Sequence, residues 1–111
     1  MIKISDIATA LGSNIQENQT LENIAGWDSG KILEKTGISR RYISDCSSEQ
    51  LALDALEKLE SRNDLSEIDL IISVTNTPQT FFPTISNFVH TKLNLNENCK
   101  CLGINSGCTG F

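Results

Sequence analysis

Positive charge, histidine and long apolar runs are all scarce in this chain, and each scarcity narrows what it can do. Nine Lys and Arg face fourteen Asp and Glu, a formal net charge of −5. Nucleic-acid binding needs concentrated positive charge, so no nucleic-acid partner is expected. No apolar stretch approaches the roughly 20 residues that span a bilayer. Met1-Ile2-Lys3-Ile4-Ser5-Asp6 leads into no leader-type apolar segment, so the expectation is a cytoplasmic protein with no membrane partner. There is one histidine, and the four cysteines stand at 46, 99, 101 and 108. Cys99 and Cys101 are one residue apart, which on a strand puts both on one side without the CxxC bite of a zinc site. No metal is therefore expected. The cysteines read as free thiols, with Cys46, Cys99 and Cys101 as small apolar fillers. Internal repeats and Pro/Gly/Ser-rich linkers are also missing. With 111 residues, 39% of them hydrophobic, the chain is expected to form a single domain around one packed core.

What is present reads as an alternation of strands and helices. Ile2 to Ala8 suggests an opening strand, and Thr20 to Ala25 a short helix with Thr20 as its N-cap. Asp28 can cap a second helix that runs to Thr36, where Gly37 supplies the left-handed terminator. Arg41 to Ser44 is extended. Ser47 and Gln50 match a capping box, followed by a helical stripe of Leu51, Ala52, Ala55, Leu56 and Leu59. Leu70-Ile71-Ile72-Ser73-Val74-Thr75 is short, β-branched and nearly uncharged, which predicts a central parallel strand covered on both faces. Pro83 fits the first turn of a helix reaching Leu93, with Ile85, Phe88, Val89 and Lys92 at helical spacing. A further strand over Cys101 to Asn105 follows. This order predicts an α/β layered fold.

Ligands in such folds collect at the carboxyl ends of the strands. Asn76, Thr77 and Cys108 fall at those ends. Cys108 lies in Asn105-Ser106-Gly107-Cys108-Thr109-Gly110-Phe111, where a strand breaks into small residues that can open a helix. Unpaired N–H groups at such a start stabilise a thiolate, so Cys108 reads either as a nucleophile or as a structural thiol.

Three separated segments carry a resemblance. Lys35-Thr36-Gly37-Ile38-Ser39-Arg40-Arg41 resembles a TGIxxR element with Arg41 on its arginine. Asp69 to Thr77, with Phe82-Pro83, resembles a buried strand and the loop after it. Gly107-Cys108-Thr109-Gly110-Phe111 resembles a nucleophile element. In this order they make the chain similar to the N-terminal part of the β-ketoacyl-acyl carrier protein synthase III family of the thiolase superfamily. The resemblance implies a thiolase-like half-domain over residues 1–111, with helices layered on a mixed, mostly parallel sheet. It implies a decarboxylating Claisen condensation with malonyl-acyl carrier protein, in which Cys108 carries the acyl group as a thioester. Coenzyme A or acyl carrier protein would bring that acyl group as substrate, with no bound cofactor, and the complete protein would be a homodimer of fatty-acid or related biosynthesis. The family's assisting histidine and asparagine come from its second half and have no counterpart in these 111 residues, so the chain alone is expected to be inactive.

Departures from the family pattern mark further candidates. Lys31 stands where family members often carry a tryptophan that stacks on the adenine of coenzyme A, and Trp27 is four residues earlier. Gly103 stands where an aspartate is frequent. Between Lys31 and Ser44, Lys31, Lys35, Arg40 and Arg41 outnumber Glu34, a local net charge of +3 in an acidic chain. That patch reads as a receptor for an acidic carrier protein or a phosphopantetheine phosphate, or as a solvated helix end. Phe81 and Phe82 read as core, or, by resemblance, with Phe82 reaching into a partner subunit's acyl pocket. His90 reads as a surface or partly packed histidine. Two other functions fit the same residues: acyl transfer to an alcohol or amine, and a non-catalytic dimerisation or interaction half-domain.

Overall fold

The computed structural model describes residues 1–110, which form two compact units: Leu11–Cys46, and Met1–Ala10 together with the chain from Ser47 onward. In the first unit, β1 (Asn14–Glu17) pairs antiparallel with β2 (Arg40–Ile43), Asn14 opposite Ile43 and Glu17 opposite Arg40. Helices α1 (Asn18–Ala25) and α2 (Ser29–Thr36) connect them. Asp28 caps α2 as expected, its Oδ1 accepting the Lys31 N–H at 2.7 Å. Gly37, at φ 70°, ends the helix and donates its N–H to Leu33 O. By contrast, α1 starts at Asn18 with Glu17 in the cap position, not at Thr20. Asn18 is only 7% exposed, and its side chain is used elsewhere in the unit. Its Nδ2 donates to Ile38 O at 2.7 Å, and its Oδ1 accepts from the Arg41 guanidinium at 2.9 Å. The helix start is fixed by this bracket and not by a local cap, which is why the sequence placed it late.

The second unit has the order α3 (Ser48–Glu60), β3 (Leu70–Val74), α4 (Ile85–Lys92) and β4 (Lys100–Ile104), then a 3₁₀ turn over Gly107–Thr109. β3 and β4 are parallel, with Leu70 opposite Lys100 and Val74 opposite Ile104, and α4 is the crossover between them. The parallel reading of the Leu70 strand holds, with β4 as its partner. Ser47 caps α3 by accepting the Gln50 N–H at 3.2 Å, but the Gln50 amide reaches forward to Asp54 at 2.7 Å. Only half of the expected capping box forms. The buried apolar side chain of α3 is Leu53, which the apolar stripe passed over. On α4, Ile85, Ser86 and Val89 are buried. Pro83 stands before this helix, whose N-cap is Thr84, with the Thr84 N–H donating to Asn87 Oδ1 at 3.1 Å.

Three expectations about this unit are corrected. Ile2 to Ala8 forms no strand: among the described residues it has no ladder partner, and backbone groups need one to make a sheet. The segment is tied instead through Asp6, which meets Arg62 at 3.2 Å and Asn63 at 2.7 Å. β3 is not covered on both faces, because helices pack on one side only. Leu70, Ile72 and Val74 on the other side stay 43–52% exposed. Nor is it central, since the described sheet has only β3 and β4. No helix among the described residues is long and apolar enough to cross a membrane.

Candidate active site

The carboxyl ends of β3 and β4 converge on the Cys108 turn. The ladder continues one step past β3, with the Thr75 N–H donating to Ile104 O at 3.1 Å. Asn76 then turns its side chain across, and its Oδ1 accepts the Gly107 N–H at 3.1 Å. Gly107 has φ 58°, a left-handed conformation that favours glycine. It lets the chain leave the strand and close a 3₁₀ turn, in which Thr109 N–H donates to Ser106 O and Gly110 N–H to Gly107 O. Cys108 sits in this turn with its side chain exposed. The expected helix start is a single 3₁₀ turn in the described residues, and Phe111 of the nucleophile element lies outside them.

Close packing shapes the floor of this end. A Cβ on Gly103 would collide with the Thr84 side chain, and one on Gly110 would come within 2.8 Å of Val74 Cγ1. Thr84 Oγ1 lies 2.7 Å from Ser86 Oγ, and Ser73 Oγ accepts the Ser86 N–H at 3.2 Å. A small cleft of about 80 Å³ opens above, between Thr75, Thr80, Phe81, Thr84, Ile104 and Asn105. Its mix of hydroxyl and apolar walls suits a small group with one polar end.

Cys99 and Cys101 are unlike Cys108. Burial pushes the Cys101 thiol above its ordinary 9.0, and neighbouring Cys99 adds to the rise, so Cys101 does not fit a nucleophile's role. Cys99 is buried and Cys101 half-buried, as small fillers should be, whereas Cys46 is exposed and fills nothing. His90 is half-buried, its Nε2 at 3.0 Å from Asn96 O, in keeping with a packed histidine.

The remaining sequence candidates divide between the units. Lys31, Lys35 and Arg41 belong to the Leu11–Cys46 unit, Phe82 to the unit of Cys108. Lys31 and Lys35 are exposed on α2. Arg41 is half-buried and holds Asn18, so at least part of its guanidinium is structural. Phe81 and Phe82 are 82% and 85% exposed, which removes the core reading of both. They lie in the loop between β3 and α4, where the chain has just left the sheet.

No family model matches the chain. Its sequence is 42% identical over 101 residues to the beta-ketoacyl-[acyl-carrier-protein] synthase III of Clostridium perfringens strain 13, covering 88% of this chain and 31% of that protein. Among solved structures, a 3-oxoacyl-(acyl-carrier-protein) synthase III superposes with a TM-score of 0.84 at 30% identity, over 97% of this chain and 34% of the other. The beta-ketoacyl-[acyl carrier protein] synthase III of Thermus thermophilus superposes with a TM-score of 0.85 at 26% identity, over 98% and 35%. Over this span the chain belongs with the β-ketoacyl-acyl carrier protein synthase III family. It has that family's thiolase-like fold and spans about a third of the length of the curated relatives it matches.

Within that family frame, two residues the sequence reading passed over acquire a place. Glu49, 8% exposed at the start of α3, accepts the Gln79 N–H at 2.8 Å in the loop after β3. Burial works to raise its pKa, but hydrogen bonds from its own backbone, Gln79, Ser48 and Ser47 outweigh this and hold it below the ordinary 4.5. A glutamate in the first turn of an amphipathic helix carries no signal of such a partner 30 residues away. Thr84 is the other: its side chain stands where a Cβ on residue 103 would fall, which accounts for a glycine at that position.

Proposed function

We propose that the complete protein is an acyltransferase that condenses an acyl thioester with malonyl-acyl carrier protein through Cys108. The observation that carries the reading is the Cys108 turn itself, an exposed thiol at the carboxyl ends of two parallel strands, in a chain of this family. The Cys108 thiolate attacks the thioester carbonyl, and collapse of the tetrahedral intermediate expels the donor as its thiolate and leaves the acyl group on Sγ. Loss of carbon dioxide from the malonyl group leaves a carbanion. That carbanion attacks the new thioester, forms the carbon–carbon bond and returns the thiolate. The oxyanion of each tetrahedral intermediate needs preorganised donors. In the turn, the N–H groups of Gly107, Thr109 and Gly110 are bonded, which leaves the Cys108 N–H as the proposed donor among the described residues of the turn.

Acyl carrier protein is the proposed partner, coenzyme A or the carrier the proposed acyl donor, and the working protein a cytoplasmic homodimer organised as one thiolase-like domain. Exposed Lys31 and Lys35 support contact with a phosphate or an acidic carrier, and exposed Phe82 supports a place in an acyl pocket at the partner subunit. The complete protein, incubated with labelled acyl donor and malonyl-acyl carrier protein, tests the whole scheme. Acyl label should be trapped on Cys108 and released as a ketoacyl product, and Cys108→Ala should abolish both. Lys35→Glu should raise the KM for the malonyl carrier in low salt, and Phe82→Ala should change acyl-length preference. Product formation that survives Cys108→Ala would overturn the reading, and release of label to an alcohol or amine would replace the condensation with simple acyl transfer.

A further inference from the structure

Glu49 is a buried carboxylate that the condensation does not use, and its contacts lead toward Cys108. Its Oε1 accepts the Gln79 N–H at 2.8 Å. Ser48 Oγ lies 3.2 Å from both Glu49 Oε2 and Thr77 O, sharing its single proton between them. Thr77 N–H in turn donates to Thr75 Oγ1 at 3.2 Å. The start of α3 thus grips Thr77 and Gln79. At the start of the same loop, Asn76 Oδ1 accepts the Gly107 N–H at 3.1 Å, immediately before Cys108. The loop is held at two points, and the second is one residue from the thiol.

We propose that Glu49 and Asn76 are positioning residues for Cys108, Glu49 fixing the β3–α4 loop and Asn76 transmitting that fixed position to the turn. The proposal rests on Cys108 being the acyl-carrying nucleophile, and its physical basis is reach. A 3₁₀ turn of three residues has little internal hydrogen bonding to define its place, and Gly107 is flexible about φ. The Asn76 bond removes that freedom. Glu49 matters because Asn76 projects from a loop, which without an anchor would move with its passenger. A carboxylate suits this anchor because hydrogen bonds to a charged acceptor are stronger than neutral ones.

Two readouts on the complete protein test this. The first is amide hydrogen exchange at Gly107, with Thr75 as the internal control. The second is the iodoacetamide rate at Cys108 relative to exposed Cys46, followed against pH. Asn76 is exposed, so Asn76→Ala should fold normally. It should speed exchange at Gly107 by about three- to tenfold, the worth of one hydrogen bond, leave Thr75 unchanged and lower the Cys108 to Cys46 ratio. Asn76→Asp keeps an acceptor oxygen and should retain Gly107 protection, while its negative charge moves the Cys108 profile to higher pH. Glu49→Ala should loosen both Gln79 and Gly107, and Glu49→Gln should restore part of that protection. Gly107 exchange at the wild-type rate in Asn76→Ala, or in a Glu49→Ala protein that has only lost thermal stability, overturns the proposal. A wild-type Cys108 that labels no faster than Cys46 instead overturns the nucleophile reading, and leaves the exchange result to stand alone.

Discussion

Gly103 faces Thr84 so closely that a single methyl group has nowhere to go. The consequence extends beyond one contact, because Thr84 is the N-cap of α4 and is itself bonded to Asn87 and close to Ser86. Gly103→Ala should push Thr84 away from the strand, loosen the start of α4 and cost about 1–3 kcal/mol, the usual range for overpacking. Thermal denaturation checks this, with a fall of roughly 4–8 °C per kcal/mol expected for a chain near this size. A melting temperature within a degree of wild type would show that Thr84 yields freely. Residue-scale chemistry was unevenly legible in the sequence. Cys108 stood out because small residues and a strand end surround it locally, whereas the constraint on Gly103 comes from the N-cap of a helix 19 positions earlier.

At the scale of elements, α3 couples stability to pH through Glu49. Its carboxyl group is held below the ordinary 4.5 by hydrogen bonds, so the ionised form is the one that stabilises the fold. That contribution is complete above the unfolded value and is lost as pH falls through the lower folded value. Glu49→Gln should therefore melt below wild type at neutral pH, and the gap should close on acidification below about pH 4.5. A gap that stays constant from about pH 6 to pH 3 would remove Glu49 as its source. The same helix shows where sequence sufficed. Ser47 and Asp28 announce the starts of α3 and α2, and Gly37 the end of α2, because caps are local backbone events. β1 gave no such signal, since Asn14–Glu17 holds one apolar residue and exists through its pairing with β2. The apolar residues of Ile2 to Ala8 erred in the other direction, promising a strand that finds no partner among the described residues.

Across the whole molecule, the parallel sheet is covered on one face only. Leu70, Ile72, Val74 and Leu102 lie on its other face at 43–52% exposure, and Ile72 is opposite Leu102 in the register. A continuous apolar run reads as a strand buried on both sides, but only the distribution of helices decides how many sides are covered. Here α4, packed against β3 and β4, takes one side. Four adjacent half-exposed aliphatic side chains form an apolar patch of the kind that drives association in water. The 111-residue chain should therefore show concentration-dependent self-association, with a net charge of −5 too small to prevent it. Ile72→Thr with Leu102→Thr should leave the helix-facing core intact, since neither side chain lies on that face. Removing their remaining apolar area, worth about 1 kcal/mol each at half the full burial value, should weaken association by about tenfold or more in sedimentation velocity. An unchanged sedimentation profile for the double variant would place the sticky surface elsewhere, with exposed Phe81 and Phe82 the next apolar pair to replace.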